Sequence, residues 1–570
     1  MGPLEILLKE SEAYSSFDLI EGALESGAAL TNYPVQPLYL SIRSLPPERV
    51  SEILPRLSLE QRQAFIDLDL WKKDDIDVET FDFWLRAYSQ CSDDSVRSTF
   101  FKSSDFLLYM KNRFNVWTFD VEEPEYPDHD NYFLTDDSLL LFEFHQNYAL
   151  ADEVRSLIRE MYAELGVENA YTTLFKMVSE GALSLAEEEY RLKKDRLRDF
   201  GFVDYFEALE LISPFPKLEV LRSHLLRKTS ITPKLDENAM KQALHHSSVA
   251  SYKEKIKVLS LEMEKVTSRV RLDFLTFNFI RLVNASVEID DALKEGTVAM
   301  GRVGKKTRQR LILGLDYLRE LASKGELKLE PSVALLDRFD FSDLYRIGYT
   351  LISLLQRPLK KELAKYGLEE SEESFLGGTW NDLLDLVFDE TLKSRVEVGV
   401  GGGAKDVEAY ADYELIAGEV KTLLDSLAFV KRFYDELKKL KEEGRLLSAY
   451  YINYTVEDID YEAILLSSFA NNFISKLQVA GNSGKLGLTM SEFELFISKV
   501  MNDDQDIRSF EELQESITDF LELYGLSSIE GKARYIYTLL KNQLEGYDYK
   551  NMGDDEYRHV GGPILLHATN

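Results

Sequence analysis

Along most of this chain apolar residues return every three or four positions, which gathers them on one face of a helix and leaves little sequence for extended sheet. The clearest instance starts at Ser58-Leu-Glu-Gln61, a capping box in which the serine hydroxyl and the glutamine side chain satisfy free amides of the first turn. Upstream, Leu45-Pro-Pro-Glu-Arg-Val-Ser-Glu-Ile-Leu54 reads as a short helix with prolines in its first turn, where a missing N–H costs little. Leu45, Val50, Leu54, Leu57 and Phe65 are then available for one seam between two stacked helices. Asp77 is placed to cap a further helix through Phe81, Trp84, Leu85 and Tyr88.

Ser184-Leu-Ala-Glu187 is a second capping box. Its helix offers Glu187–Arg191 and Glu189–Lys193 as surface pairs, Ala186, Tyr190 and Leu197 as a packing face, and Gly201 as a left-handed end. The longest periodic segment runs from Tyr252 to Asn284, with Asp273 interrupting its apolar stripe beside Phe277. An inward Asp273 would need a partner such as Arg269 or Arg271. No constant repeat follows, so a regular solenoid is not expected. One region departs from the helical pattern: Val116–Phe119, Tyr132–Thr135 and Leu139–Phe144 surround an Asp136-Asp137 turn and predict a small β-hairpin, with Glu122–Asp130 as an acidic loop. Gly399–Lys405 reads as a flexible linker, and the apolar tail His559–His567 as a segment docked on the body. The expected fold is therefore mostly α: a multi-helical, armadillo-like or irregular array with a β-hairpin insertion near residues 115–145. Four units are expected, at 1–114, 115–235, 236–398 and 405–570.

Charge limits the partners. Against 67 Lys and Arg stand 100 Asp and Glu, a net charge of −33, and such a surface repels nucleic-acid backbones and anionic membranes. The single cysteine, Cys91, can form no internal disulfide and supplies no thiolate metal set. The Met1-Gly-Pro-Leu-Glu start lacks a leader's basic and apolar regions, and no run approaches about 18 apolar residues. Cytoplasmic residence, without membrane insertion or nucleic-acid binding, is the expectation.

The segment from Ser58 to Trp84, with IDLDLWKKDDID at Ile66–Asp77, and FWLRAY at Phe83–Tyr88, is one of three informative stretches. The others are EEEYRLKKDRLRDFGFVDYFEALEL at Glu187–Leu211 and, more weakly, Asp343–Leu355. Together they resemble an uncharacterised bacterial family, number 6178 of the domain-of-unknown-function series, over most of the chain up to about residue 360. The resemblance implies a mostly helical cytoplasmic protein and carries over no catalytic residue. Leu45–Asp69 is also loosely similar to the helical domain of bacterial magnesium transporters and to flagellar switch proteins, which implies packed short helices used in regulation or assembly.

No catalytic constellation stands out. In the Gly399–Lys405 run Ala404 precedes the lysine and Asp406 follows it, which puts a carboxylate where a phosphate loop needs a hydroxyl. Asp199-Phe-Gly201 matches a kinase motif by letters alone and is better explained as a helix end. His245 and His246 are adjacent and diverge on a helix; Asp128-His129-Asp130 reads as a solvated loop; Asn502–Asp506 lacks the glycine and glutamate of a calcium loop; His559 and His567 flank a Gly-Gly-Pro turn. No cofactor and no metal site are expected. The feature that runs against the global charge is Gly301–Arg310, where Arg302, Lys305, Lys306, Arg308 and Arg310 cluster without a carboxylate, and Gly301 and Gly304 offer amides to an anion. These five cations form the candidate anion-binding site. The expected function is a non-enzymatic scaffold or adaptor that binds protein partners through helical surfaces. The alternative is a ligand-responsive regulator or unrecognised enzyme acting on an anionic small molecule.

Overall fold

The computed structural model describes residues 17–72, 75–179, 182–229, 257–328, 333–368, 373–396, 403–442, 451–452, 459–477, 487–523, 531–549, 551 and 564–567. The protein is mostly helical, with three small antiparallel sheets of two or three strands among the described residues. It folds as two units, Met1–Thr350 and Leu351–Asn570. None of the described helices is long and apolar enough to cross a membrane.

The first unit is organised around the helix Leu59–Leu70. The amide of Gln61 donates to Ser58 Oγ at 3.2 Å and the Ser58 amide to Gln61 Oε1 at 2.9 Å, so the capping box is formed. The gain is larger than a cap alone, because Gln61 Nε2 also reaches the carbonyls of Leu30 and Tyr33 at 3.1 and 2.8 Å and ties the helix start to an earlier loop. Pro47–Ile53 forms the short proline-started helix, and Asp77 caps Val78–Ser89 through the Thr80 amide at 3.0 Å. Phe81, Trp84, Leu85 and Tyr88 are all buried, as their spacing requires. Around these helices a single apolar cluster runs from Ile20 through the aromatic stack of Phe81, Phe100 and Tyr109 to Val283–Val303.

Several local expectations are corrected. The hairpin around Asp136-Asp137 forms, Tyr132–Leu134 against Leu140–Phe144, and Phe114–Thr118 extends it to a three-stranded sheet on the other side of Leu140–Phe144. Phe114, Phe133 and Phe142 pack together on it, and cross-strand aromatic pairing explains why the third strand joins. The Tyr252–Asn284 periodicity is not one helix. Lys257–Met263 and Arg269–Ile289 are separate, the second capped by Ser268 at the Arg271 amide. Asp273 is half-buried, whereas Arg271 is the enclosed charge, bonded to the Leu336 and Phe339 carbonyls and paired with Asp340. The helix expected to begin at Ser184 runs Ala182–Asp199, so Ser184 lies inside it. Gly201 ends that stretch with φ 79°.

In the second unit the end of the expected linker is a strand: Gly403–Asp406 pairs with Lys393–Val396, while 397–402 lie outside the described residues. The helices Tyr410–Glu442, Tyr461–Leu477, Met490–Val500, Phe510–Leu523 and Lys532–Leu544 make up its body. The described tail is held by main-chain bonds: the Leu565 amide reaches Ser467 Oγ at 2.9 Å, and the Leu488 and Ile452 amides reach the Leu565 and Leu566 carbonyls at 2.8 Å each.

Helices Thr297–Ser323 and Phe341–Tyr366 cross at two glycines. A Cβ on Gly314 would lie 2.0 Å from the Leu344 carbonyl oxygen, and one on Gly348 2.0 Å from that of Arg310. Backbone meets backbone there, so neither neighbour can rotate away. Gly301, in the same helix, has nothing within 4 Å of its Cβ position. Gly314→Ala should therefore lower unfolding free energy by about 1–3 kcal/mol or more, whereas Gly301→Ala should raise it by about 0.5–1 kcal/mol. Urea titration of the two variants beside the parent checks both signs.

Candidate functional site

The helix Leu59–Leu70 carries two aspartates, Asp67 and Asp69, both 0% exposed. Two residues apart on a helix, they diverge by roughly 200° and enter different surroundings. Asp69 is held by the Arg43 Nε at 2.9 Å, the Trp84 indole N–H at 2.5 Å and the Tyr39 hydroxyl. Burial raises its carboxyl above the usual range, and Arg43, Tyr39 and Trp84 oppose that rise. This is a sealed structural centre.

Asp67 faces the other way, toward the helix Ala182–Asp199. Arg196 grips both its oxygens, Nε at 2.8 Å and an Nη at 2.6 Å, and the same Nη reaches Glu189 Oε1 at 2.6 Å. Gln63, one turn before Asp67, bridges to a third carboxylate: its amide nitrogen lies 2.6 Å from Asp105 Oδ2 and 3.3 Å from Asp67 Oδ1. Asp105 sits in the first turn of the helix Ser104–Arg113, capped by Ser103, where the helix dipole favours a negative charge. Its second oxygen, Oδ1, is shielded from solvent and accepts no hydrogen bond. Burial, then the charges of Asp67 and Glu189, raise the Asp105 carboxyl well above its usual range; burial likewise raises Asp67 against the pull of Arg196.

These groups form one wall of a cavity of about 800 Å³, also lined by Thr31, Tyr33 and Phe200. Asp67 is not part of that lining; it adjoins Asp105 and Glu189 and borders a separate, smaller pocket with Trp71 and Lys193. The Glu189–Lys193 surface pair expected from spacing is therefore replaced: Glu189 is 2% exposed and bound to Arg196, and Lys193 lies over the rings of Trp71 and Tyr190.

A second ionic centre also lies in the first unit. Asp343 accepts from His224 Nε2 at 3.0 Å, from Lys228 at 2.8 Å and from the Asp340 amide at 2.9 Å. Burial opposes its charge, but His224 and Lys228 outweigh burial and hold the carboxyl below the usual range. Arg338 completes the network through the Leu225 and Lys228 carbonyls at 2.7 and 2.8 Å.

The basic segment lies on the helix Thr297–Ser323, beyond its first turn, so Gly301 and Gly304 have intrahelical amides and offer none to an anion. Arg302 pairs with Glu295 at 3.3 Å and Lys306 with Asp290 at 3.0 Å. Arg310 lies over Tyr349 at 3.9 Å and bonds the Tyr345 hydroxyl; Lys305 is exposed and Arg308 half-buried. Arg302, Lys305, Lys306 and Arg310 stand at i, i+3, i+4 and i+8 on one side of the helix, and Arg308 lies off it. His129 bonds Glu143 at 2.9 Å in an exposed loop, and His567 stacks on Tyr451. His245, His246 and His559 lie outside the described residues.

In the second unit Lys532 is 0% exposed, donates to Ser426 Oγ at 2.5 Å and lies 5.0 Å from the Tyr535 ring, near Trp380 and Tyr461. Burial lowers its ammonium pKa to about 7. No sequence pattern marked this lysine, since a helix-start lysine is normally solvated.

The chain belongs to a family of unknown function, DUF6178, whose model matches residues 6–553. Three segments that carried the resemblance now have positions. Ile66–Asp77 and Glu187–Leu211 meet at Asp67, Glu189 and Arg196, and Asp343 of the third anchors the second ionic centre. No curated protein and no solved structure matches the chain, so the looser likeness to magnesium transporters and flagellar switch proteins gains no support.

Removing Arg196 leaves buried carboxylates uncompensated, so Arg196→Met should cost about 3–5 kcal/mol, while Arg302→Gln should change stability by about 1 kcal/mol or less. Chemical denaturation distinguishes the two. Lys532 gives a pH test. Its folded pKa of about 7 lies below the ordinary 10.5, so the folded protein holds fewer protons between these values. Stability from this group is lost as pH falls from 10.5 toward 7, and the full penalty applies below 7. Lys532→Met should therefore be more stable than the parent at pH 6, with the difference shrinking toward pH 10 in parallel thermal melts.

Proposed function

We propose that this protein is a ligand-responsive helical regulator whose ligand enters the cavity bounded by Gln63, Asp105, Glu189 and Arg196. One observation carries the reading: two distant segments converge on a buried, charged cluster that forms the wall of an open hollow. The buried ions do little for stability, because they are often replaceable by apolar residues without loss. A fold kept only as a rigid scaffold gains little from them, whereas a pocket with a few convergent polar groups and displaced pKa values is the usual form of a binding site.

In this reading the ligand site is the acidic cavity and not the Arg302–Arg310 segment, where Arg302 and Lys306 already pair with Glu295 and Asp290 and Arg310 packs on two tyrosines. Cationic ligands fit the cavity's charge. The scaffold role is the output of the same proposal: occupancy ties together the helices Leu59–Leu70, Ser104–Arg113 and Ala182–Asp199, and protein partners read their exterior. No reaction is assigned to it.

A thermal-shift screen of metal ions, polyamines and guanidino compounds tests the reading against Ser104→Trp, which crowds the cavity from its lining. At least one compound should raise the parent melting temperature by several degrees and leave the variant unmoved. Equal shifts in both proteins, or none in either, would overturn it.

A further inference from the structure

We propose that Asp67, Asp105 and Glu189 together bind one hard divalent cation, of the Mg²⁺ or Ca²⁺ class, at the inner wall of this cavity. The inference rests on the cavity being a ligand site and names the ligand's chemistry. The first argument is geometric. One oxygen from each residue lies within 4.8 Å of the other two, and all three residues are buried. Oxygens about 2.0–2.6 Å from a shared ion can be at most about 5 Å apart. The three therefore meet the separation that a shared ion requires, and a small inward shift of their side chains would bring them onto it.

The second argument is independent of the first. Asp105 is 1% exposed, and its Oδ1 has neither solvent nor a hydrogen-bond donor. A carboxylate oxygen in that state lacks several kcal/mol of compensation that water would supply, so it calls for a positive partner. The third argument is the charge count. In their ionised forms three carboxylates face one guanidinium, Arg196, with neutral Gln63 between them, an excess of two negative charges that either protonation or a bound cation must offset. Of the nearby cations, Lys102 pairs with Glu164 at the cavity lining, and Lys193 lies over Trp71 and Tyr190 and shares its charge among Glu288, Asp67 and Asp204. A divalent ion would close the balance with the carboxyls ionised.

The donor set chooses the ion class. All three ligands are oxygens, with no histidine or cysteine among them, which favours Mg²⁺, Ca²⁺ or Mn²⁺ over zinc or copper. Each carboxylate has lone pairs on two oxygens, so Asp67 and Glu189 can hold Arg196 and the ion at once. The adjoining cavity supplies an entry route and space for water ligands. No spacing rule reveals such a site, because its ligands come from three helices at positions 67, 105 and 189.

The test uses the full chain, treated with EDTA and dialysed, and titrated with Mn²⁺ by electron paramagnetic resonance at 0.5 M salt to suppress weak binding to the acidic surface. One equivalent should bind, Mg²⁺ or Ca²⁺ should displace it, and Asp105→Asn and Glu189→Gln should each weaken it by about tenfold or more. Undiminished binding in both variants would place the ion elsewhere and overturn the inference. Absence of stoichiometric binding by the parent would also overturn it; a polyamine shift abolished by Ser104→Trp would then leave the cavity reading standing, and the loss of both would remove both. Should the two variants fail to fold, hydrogen exchange of the parent decides. Mn²⁺ must slow amides in 59–70, 104–113 and 182–199, and an unchanged pattern there sinks the proposal.

Discussion

Two buried carboxylates on one helix set the terms for the first unit. Asp67 and Asp69 leave Leu59–Leu70 on opposite sides, and each would cost several kcal/mol in an apolar interior without a partner. Asp69 takes its partners from Arg43, Tyr39 and Trp84, which fixes the helices Val35–Arg43 and Val78–Ser89 against it. Asp67 takes Arg196 from 129 positions away, which brings in the helix Ala182–Asp199. Apolar packing is permissive about register, whereas a bidentate guanidinium–carboxylate pair is not. The helix is thus oriented by its charges as much as by its hydrophobic neighbours.

The two sides differ in one respect that matters. Around Asp69 every charge and donor is accounted for by the surrounding helices, and aromatic rings close the site. Around Asp67 the carboxylates outnumber the cations, one oxygen stays bare and a hollow adjoins it. The first arrangement needs nothing from outside. The second is incomplete by the same physical criteria, and that asymmetry is why one aspartate is read as structure and the other as a site.

The net charge of −33 did not foretell where the informative acids lie. Among the described residues few carboxylates are buried, and in the conspicuous basic run Arg302 and Lys306 pair with Glu295 and Asp290 while Arg310 packs on tyrosines. Clustering along the sequence is a poor guide to clustering in space when residues on a helix turn by about 100° each. Glu189 shows the converse. Its spacing to Lys193 suggested an exposed pair, yet its face turns inward because Arg196, two turns later, is drawn to Asp67.

Helical class, the caps at Ser58 and Asp77, and the buried stripe Phe81–Tyr88 were legible because they depend on neighbours within about four residues. The three extended runs of the β region were legible, since aromatic and branched residues mark them, but the pairing of Phe114–Thr118 onto Leu140–Phe144 was not, because pairing order is a long-range choice. The break between Met263 and Arg269 escaped periodicity, which continues in phase across it. Sequence by itself determined that this is a mostly helical member of its family, with hallmark segments rich in buried-type residues and acids. Only the tertiary structure decided that Asp67, Asp105, Glu189 and Arg196 meet, since no local rule relates positions 67, 105 and 189. The physical reason is range: caps and stripes are set within a turn or two, whereas compensation of a buried charge is settled by whichever distant side chain the fold brings within hydrogen-bond reach.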